Sequence, residues 1–546
     1  MYEHIQRTKK LFAISVLSLI MIILFGSFFF EQHEVLDNTL YSFVRAARSA
    51  SYSFEYRNEK QTLAANALTA LSSEGAATGT LAAPGTAAAV PVLLYHGIVN
   101  KPDRFSLTVK QFKEQLFALK AAGYHTVHLQ DVADFMAGKK VLDDKAFLLT
   151  FDDGRTDSYR GADPLLQSLG WSAVMFVATE SSIDRAVRSK YYIDEKDTEK
   201  MIDSGRWEIG SHAMQYTGGY IPVDAAGTKG NFLSNSMWRT VEGRLETDAE
   251  YESRITIELE QSKQILEHTT GTIVNALAYP FGDYGQQTQN NSRAEDTIAD
   301  IVKRTYDLAF KQVWSGDDDF SFNYPYDNSM YLRRVEVPTN WSGAELISFL
   351  ETASPKQLPY DDTFDMETGW KHNWGRVVLQ NGTLTLAAPE TTTGALTFLD
   401  GTGGWSNYFF TVTGAWRDGS TISLLGRYRN GENYTACTFT NENVFINETK
   451  NGAQKNLAAA KHSVEMPVDT VSLGMLVDGN AVKCYIGSRL IAYVYTVDQE
   501  LSSGGIGLKI WDQTPGKSFL VLDALHAVSP EAMQVLLQAL PRYVTR

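Results

Sequence analysis

Thr150-Phe151-Asp152-Asp153-Gly154 puts two carboxylates at the C-terminal end of an apolar run, Ala146 to Phe151. Parallel sheets and barrels hold their ligands at that end of the strands. Neighbouring strand side chains point to opposite faces, so both carboxylates share a pocket only if the chain turns there. Gly154 permits the turn. Two carboxylates in one pocket repel unless a cation neutralises one. The pair therefore points to one Asp as a metal ligand and the other as a free base. A capped strand–turn junction is the plainer alternative for the dipeptide alone. Three further run ends carry related chemistry. Tyr95-His96-Gly97-Ile98 closes a first apolar run, Ser211-His212 follows Trp207-Glu208-Ile209-Gly210, and Ala278-Tyr279-Pro280-Phe281-Gly282 closes another. Four such ends in one domain exceed chance.

The elements that must position these residues run from Pro91 to about Leu350. Strand-like and helix-like segments alternate there: PVLLYH, a helical spacing over Leu107 to Ala122, HTVHL, AFLLTF, WSAVMFV, a charged amphipathic helix over Tyr251 to His268, and IVNALAYPF. Alternation of this kind predicts an α/β domain with a mostly parallel sheet or barrel.

TFDDG, YHGI and AYPFGDYG, in this order and spacing, resemble the polysaccharide deacetylases with a NodB-homology domain, carbohydrate esterase family 4. The likeness covers residues 91–352 and is nearest to the poly-N-acetylglucosamine deacetylase branch. It implies a deformed (β/α) barrel that binds a divalent metal, zinc or else cobalt or nickel, and removes N-acetyl groups from a hexosamine polymer. By the same resemblance Asp152 is the general base, Asp153 and His212 are metal ligands, and His96 is the general acid. Tyr279, Pro280 and Phe281 fall to the substrate groove, with the Phe281 N–H at the oxyanion. Arg333 or Arg334, in YLRRVEV, braces the catalytic Asp at the edge of the substrate site.

One departure stands out. The family places a second histidine four or five residues after the first, where this chain has Tyr216 and Thr217. Neither is a good zinc ligand. Three outcomes stay open: Thr217 or a water completes a weak site, another residue such as Asp224 or Asp327 supplies the ligand, or the fold is kept for glycan binding alone. His125, His128 and His268 read as structural.

Around this domain the chain changes character. Leu11 to Phe30 carries no charge and is long enough to cross a bilayer as one helix. Arg7, Lys9 and Lys10 precede it and acids follow, so the bulk of the chain is expected outside the membrane. A cleaved signal peptide is the alternative, but no A-x-A site ends the run. The stretch 61–90, rich in Ala, Thr, Gly and Ser, reads as a flexible linker. After a second linker at 354–362, short alternating segments with regular turn signals predict an all-β sandwich over 358–529, with a short helical tail at 530–546. It resembles the jelly rolls attached to carbohydrate enzymes. Trp405, Trp416, Tyr428 and Trp511 are its candidate sugar-stacking residues. Cys437 and Cys484 fall in its strands, either as two buried thiols, the preferred reading, or as a disulfide.

The net charge is -15. An acidic chain lacks the basic footprint of a nucleic-acid binder. The expected partners are a polysaccharide substrate, the membrane through the N-terminal helix, and an exopolysaccharide synthase or secretion proteins. Adjacent Asp152 and Asp153 do not suit glycoside hydrolysis, which needs two carboxylates across a groove.

Overall fold

A computed structural model describes residues 85–183, 191–215, 218–313, 319–466, 469–495 and 501–543. The expected membrane anchor at 11–30, and the expected linker up to residue 84, lie outside these residues. Among the described residues no helix is long and apolar enough to cross a membrane.

Seven parallel strands close a barrel: β1 (Val92–Tyr95), β2 (Ala146–Phe151), β3 (Ala173–Val177), β4 (Trp207–Ser211), β5 (Ala276–Ala278), β6 (Leu308–Val313) and β7 (Leu332–Glu336). Each pairs with its sequence neighbour, and β1 closes the ring by pairing with both β2 and β7. The strands are apolar on both faces because each face meets a different core. Val92, Leu148, Val174, Phe176, Ala276, Phe310 and Leu332 pack inside the barrel. Leu93, Leu149, Met175, Ile209, Leu277 and Ala309 alternate with them and pack outward against the helices. Period two thus fixes which side chains point inward, and that parity carries on past the strand ends.

Several helices begin where the sequence offers caps. Thr108 and Gln111 form a capping box at the start of α1 (Val109–Ala121), whose Phe112, Leu116 and Leu119 face the barrel. Ser342 and Glu345 do the same for Gly343–Ala353. Asp248–Thr256 continues through a π-helical turn, Ile257–Gln261, into Ser262–Thr270. The barrel also starts earlier than expected. Val90 is fully buried and pairs with Asn323, so the end of the Ala-rich stretch belongs to the domain.

The C-terminal region is a sandwich of two antiparallel sheets. Tyr360–Asp362, expected in the linker, pairs with Phe519–Val528 instead. The tail helix Met533–Ala539 covers an apolar patch of Phe409, Leu476 and Tyr485. The sandwich does not hang free. Leu396, Phe398, Leu425 and Tyr428 share one core with Phe320 and Tyr324 of the barrel domain. Phe320 meets Phe398 edge-on at 5.1 Å, and the Ser321 hydroxyl donates to Asp400 at 2.6 Å.

Cys437 and Cys484 form a disulfide between the two sheets, which corrects the expectation of two free thiols. The sequence could not decide this, because only the sandwich topology brings strands 47 residues apart in sequence face to face. Replacing both cysteines by serine is expected to cost ~2–4 kcal/mol of stability. Chemical denaturation of wild type and double variant reads the difference; coincident midpoints would contradict it.

Candidate active site

The upper rim of the barrel interior is polar, and the inward parity explains its composition. His96 continues the inward positions of β1, Asp152 those of β2 and His212 those of β4. Gln312 lies on β6, and Arg334 and Glu336 on β7. Below them lies the apolar filling that ends in Phe176, so the polar groups face a dry floor.

Arg334 and Asp152 form the centre. The guanidinium is fully buried and donates twice to the carboxylate, Nη1 to Oδ1 at 2.5 Å and Nη2 to Oδ2 at 2.8 Å. It also lies 5.2 Å over the Phe176 ring. Burial pushes the Asp152 carboxyl up, but Arg334, then His212 and His96, outweigh it and hold it down at about 2. Asp152 is therefore a fixed, ionised carboxylate at neutral pH.

Asp153 joins the same pocket because the chain turns sharply. Asp153 has φ 70° and Gly154 φ 67°, both left-handed. The turn expected of Gly154 is thus shared by a non-glycine residue held in a costly conformation. Ala213, Gln215 and Phe281 are also left-handed, so four of the eight such non-glycine residues among the described residues flank this site. Strained backbone gathers where a site over-determines it.

His212 completes the pair. Its Nδ1 donates to the Ala278 carbonyl at 2.8 Å, which leaves the Nε2 lone pair facing the pocket. Nε2 lies 3.7 Å from Asp153 Oδ1 and 3.9 Å from Asp152 Oδ2. An imidazole lone pair and a half-exposed carboxylate converging this closely are a fitting donor pair for a divalent cation. Apart from Asp152, which Arg334 holds, no further His, Cys, Asp or Glu joins them among the described residues. Asp224 sits in a hairpin turn and accepts from the Thr228 N–H. Asp327 is held by Arg333 at 2.5 Å and by the Tyr324 N–H at 2.7 Å. Neither reaches His212, so neither replaces the missing histidine. Thr217 lies outside the described residues. Behind the loop, the buried carboxylate of Glu258, in the π-helical turn, accepts from the Gln215 N–H at 3.1 Å.

His96 stands on the other side of Asp152. Its Nδ1 lies 3.7 Å from Glu336 Oε1, and Glu336 Oε2 accepts from Gln312 Nε2. Burial raises the Glu336 carboxyl, opposed by His96. Glu336 and Gln312 were not anticipated from sequence. The available signal was parity: in LRRVE, residues 332, 334 and 336 share the inward face. Gly97 in YHGI has its own reason, since a Cβ there would collide with the Arg155 guanidinium and the Ser106 hydroxyl.

Four expected substrate contacts are corrected. Arg333 points outward and pairs with Asp319 and Asp327, the opposite parity to Arg334. Arg334 is sealed beneath Asp152 and touches no groove. Tyr279 is buried, its hydroxyl donating to the Met330 carbonyl at 3.0 Å, and Pro280 is buried beside it. Phe281 alone of that motif faces solvent. In the sandwich, Trp405, Trp416 and Tyr428 are buried and so cannot stack on sugar; Trp511 is partly exposed.

Residues 139–297 match the sequence profile of the polysaccharide deacetylase family. The barrel is a polysaccharide deacetylase domain. The deacetylase region is 27% identical over 215 residues to the poly-beta-1,6-N-acetyl-D-glucosamine N-deacetylase of Escherichia coli K12, covering 38% of this chain and 30% of that enzyme. It is 23% identical over 266 residues to YxkH of Bacillus subtilis, assigned to the polysaccharide deacetylases, covering 48% of this chain and 77% of that protein. A solved de-N-acetylase from Aggregatibacter actinomycetemcomitans aligns with 48% of this chain and 99% of its own at 21% identity and a TM-score of 0.40. Deacetylases of this family are hydrolases of N-acetyl groups and generally depend on a divalent metal.

Proposed function

We propose that the chain removes N-acetyl groups from a hexosamine-containing exopolysaccharide or cell-wall glycan outside the membrane, with a divalent metal at Asp153 and His212. The observation that carries this is the Arg334–Asp152 pair set within 4 Å of His212, with His96 on the far side. The reaction breaks the amide C–N bond and forms a C–O bond from water. A bound divalent ion, zinc or else cobalt or nickel, would lower the pKa of its water and polarise the acetyl oxygen. Asp152, ionised and aimed by Arg334, accepts the proton of the attacking water. The Phe281 N–H, three residues after β5, donates to the developing oxyanion in this reading. His96 Nε2 gives a proton to the departing amine, so acetate and a free amine leave. Glu336 holds the His96 ring by facing its Nδ1.

Two protein donors support a weaker metal site than three, so activity should rise with added metal. The extracytoplasmic placement is supported by the apolar run 11–30, the basic residues before it, and the disulfide, which persists in oxidising compartments. A synthase or secretion complex of an exopolysaccharide is the fitting partner for such an enzyme.

The test is acetate and free-amine release from N-acetylglucosamine polymers in the presence of zinc, cobalt or nickel. Equal amounts of both products are expected. Their absence from folded, metal-supplied protein would leave the glycan-binding alternative. Glu336→Gln is expected to lower kcat about tenfold with KM little changed, because His96 loses its orienting partner. An unaltered kcat would remove Glu336 from the account.

A further inference from the structure

Residues 212–215 follow β4 and carry His212, and each of their main-chain N–H groups has a partner. The His212 N–H donates to the Val177 carbonyl at 3.0 Å and the Ala213 N–H to the Ser211 hydroxyl at 3.3 Å. The Met214 and Gln215 N–H groups both donate to Glu258, the first to its main-chain carbonyl at 3.2 Å and the second to its carboxylate at 3.1 Å. The carbonyls of the loop are held as well. His212 accepts from the Gln215 side-chain amide at 3.2 Å, Ala213 from the Thr179 N–H at 3.2 Å and Met214 from the Glu180 N–H at 3.1 Å. One residue, Glu258, thus anchors two successive N–H groups of this loop.

The loop needs such anchoring. Ala213, fully buried, and Gln215 both have φ 56°. Left-handed residues other than glycine are costly, and two so close together persist only where the surroundings over-determine them. Relaxation of Ala213 would swing the adjoining His212 and turn its imidazole from Asp153. Glu258 is suited to prevent this. It lies in the π-helical turn Ile257–Gln261 and is 5% exposed. Turns of this kind are rare and recur at functional sites. The same helix meets the strand end a second time, where the Ser262 and Ser211 hydroxyls bond at 2.8 Å. The Tyr306 hydroxyl fixes the π turn by donating to the Leu259 carbonyl at 2.7 Å. Burying a carboxylate is costly unless it is hydrogen-bonded, and the Gln215 N–H is its donor on the loop side. Glu258 joins no cluster of metal-binding side chains among the described residues, so its part is to hold the loop.

We propose that Glu258 is a positioning residue for the metal site: it clamps the 212–215 loop from behind and keeps His212 aimed at Asp153. This rests on the metal reading above. Tyr216 and Thr217 stand where a second histidine is expected, so no second imidazole ties this loop to a metal from the front. With two protein donors, affinity then depends on how well the donors are held before the ion arrives.

The experiment compares two conservative variants of the intact chain. Glu258→Asp keeps the charge but draws the carboxylate back by one methylene. Glu258→Gln removes the charge but keeps an acceptor oxygen at the same reach. Glu260→Ala, in the same π turn but paired with Arg304, is the control. Zinc affinity is measured by calorimetry, and the visible spectrum of cobalt-loaded protein reports the geometry of the ligands. Glu258→Asp should weaken zinc binding about 10- to 100-fold and change the cobalt spectrum. Glu258→Gln should stay close to wild type in both, and Glu260→Ala should change neither. Wild-type affinity and spectrum in Glu258→Asp would overturn the clamp and leave the metal site standing. Equal losses in the two Glu258 variants would also overturn it, since restored reach would not restore the site. Folded wild type that binds neither zinc nor cobalt would overturn the metal reading and the clamp with it.

Discussion

Asp152→Asn is expected to cut acetate release about a thousandfold or more while the protein stays folded. Asp152 is buried, so no solvent group can take its place, and its neighbours leave it no other partner role than to hold Arg334 and face His212. The amide keeps one oxygen to accept from the guanidinium but turns an N–H toward the other donor, so the water-facing oxygen loses both charge and aim. Metal affinity should change far less, because Asp153 and His212 are untouched. Acetate release within tenfold of wild type would show that another group serves as the base.

Arg334→Met should rank next. The methionine fills space above Phe176 but leaves a buried carboxylate without its cation. Breaking a buried pair this way costs ~3–5 kcal/mol. Activity should fall about a hundredfold, and the acid limb of kcat/KM should move to higher pH. Asp152 is held at about 2, below the ordinary carboxylate value of about 3.9 in an unfolded chain. In wild type its contribution to stability is therefore full above about pH 4 and is lost as pH falls toward 2. Without Arg334, burial is less opposed and raises the folded value. The contribution then reverses: it is present in acid and lost as pH rises. Denaturation midpoints between pH 3 and 7 read that change directly. Arg334→Lys should recover only part of the loss, since an ammonium cannot make two parallel bonds to the carboxylate. Parallel stability–pH curves for wild type and Arg334→Met would contradict the role given to this pair.

Much of this site was legible in the sequence because strands convert adjacency into sidedness. The apolar runs before His96, Asp152, His212 and Tyr279 announced strand ends, and their order along the chain fitted one ring. Arg333 and Arg334 show where legibility stopped. Both arginines suit a carboxylate, and only the parity of Leu332 and Glu336, read together with an inward-facing Asp152, separates them. Tyr279 and Phe281 share the same strand parity, and it is the turn at Pro280–Gly282, with Phe281 at φ 60°, that leaves Tyr279 in the core and Phe281 in solvent. Tyr428 is buried against Phe320 of the barrel domain, and Trp405 packs beside Tyr408 in the sandwich core; no local sequence pattern encodes either contact. Phe105 lies in a loop and Tyr220 opens a three-residue hairpin strand, Tyr220–Pro222, too short to show periodicity, so their place beside His96 and Phe281 emerges only from the fold. The disulfide likewise depends on which sheet each strand joins.

A calorimetric zinc titration of the intact chain, with acetate release from N-acetylglucosamine oligomers measured on the same samples, tests the metal centre and its chemistry together. Wild type, His212→Ala, Asp153→Ala and Asp152→Asn are compared. One zinc site is expected in wild type, lost in His212→Ala and Asp153→Ala but kept in Asp152→Asn, with acetate release lost in all three variants. Zinc binding that survives in His212→Ala and Asp153→Ala, or acetate release that survives without them, would contradict it.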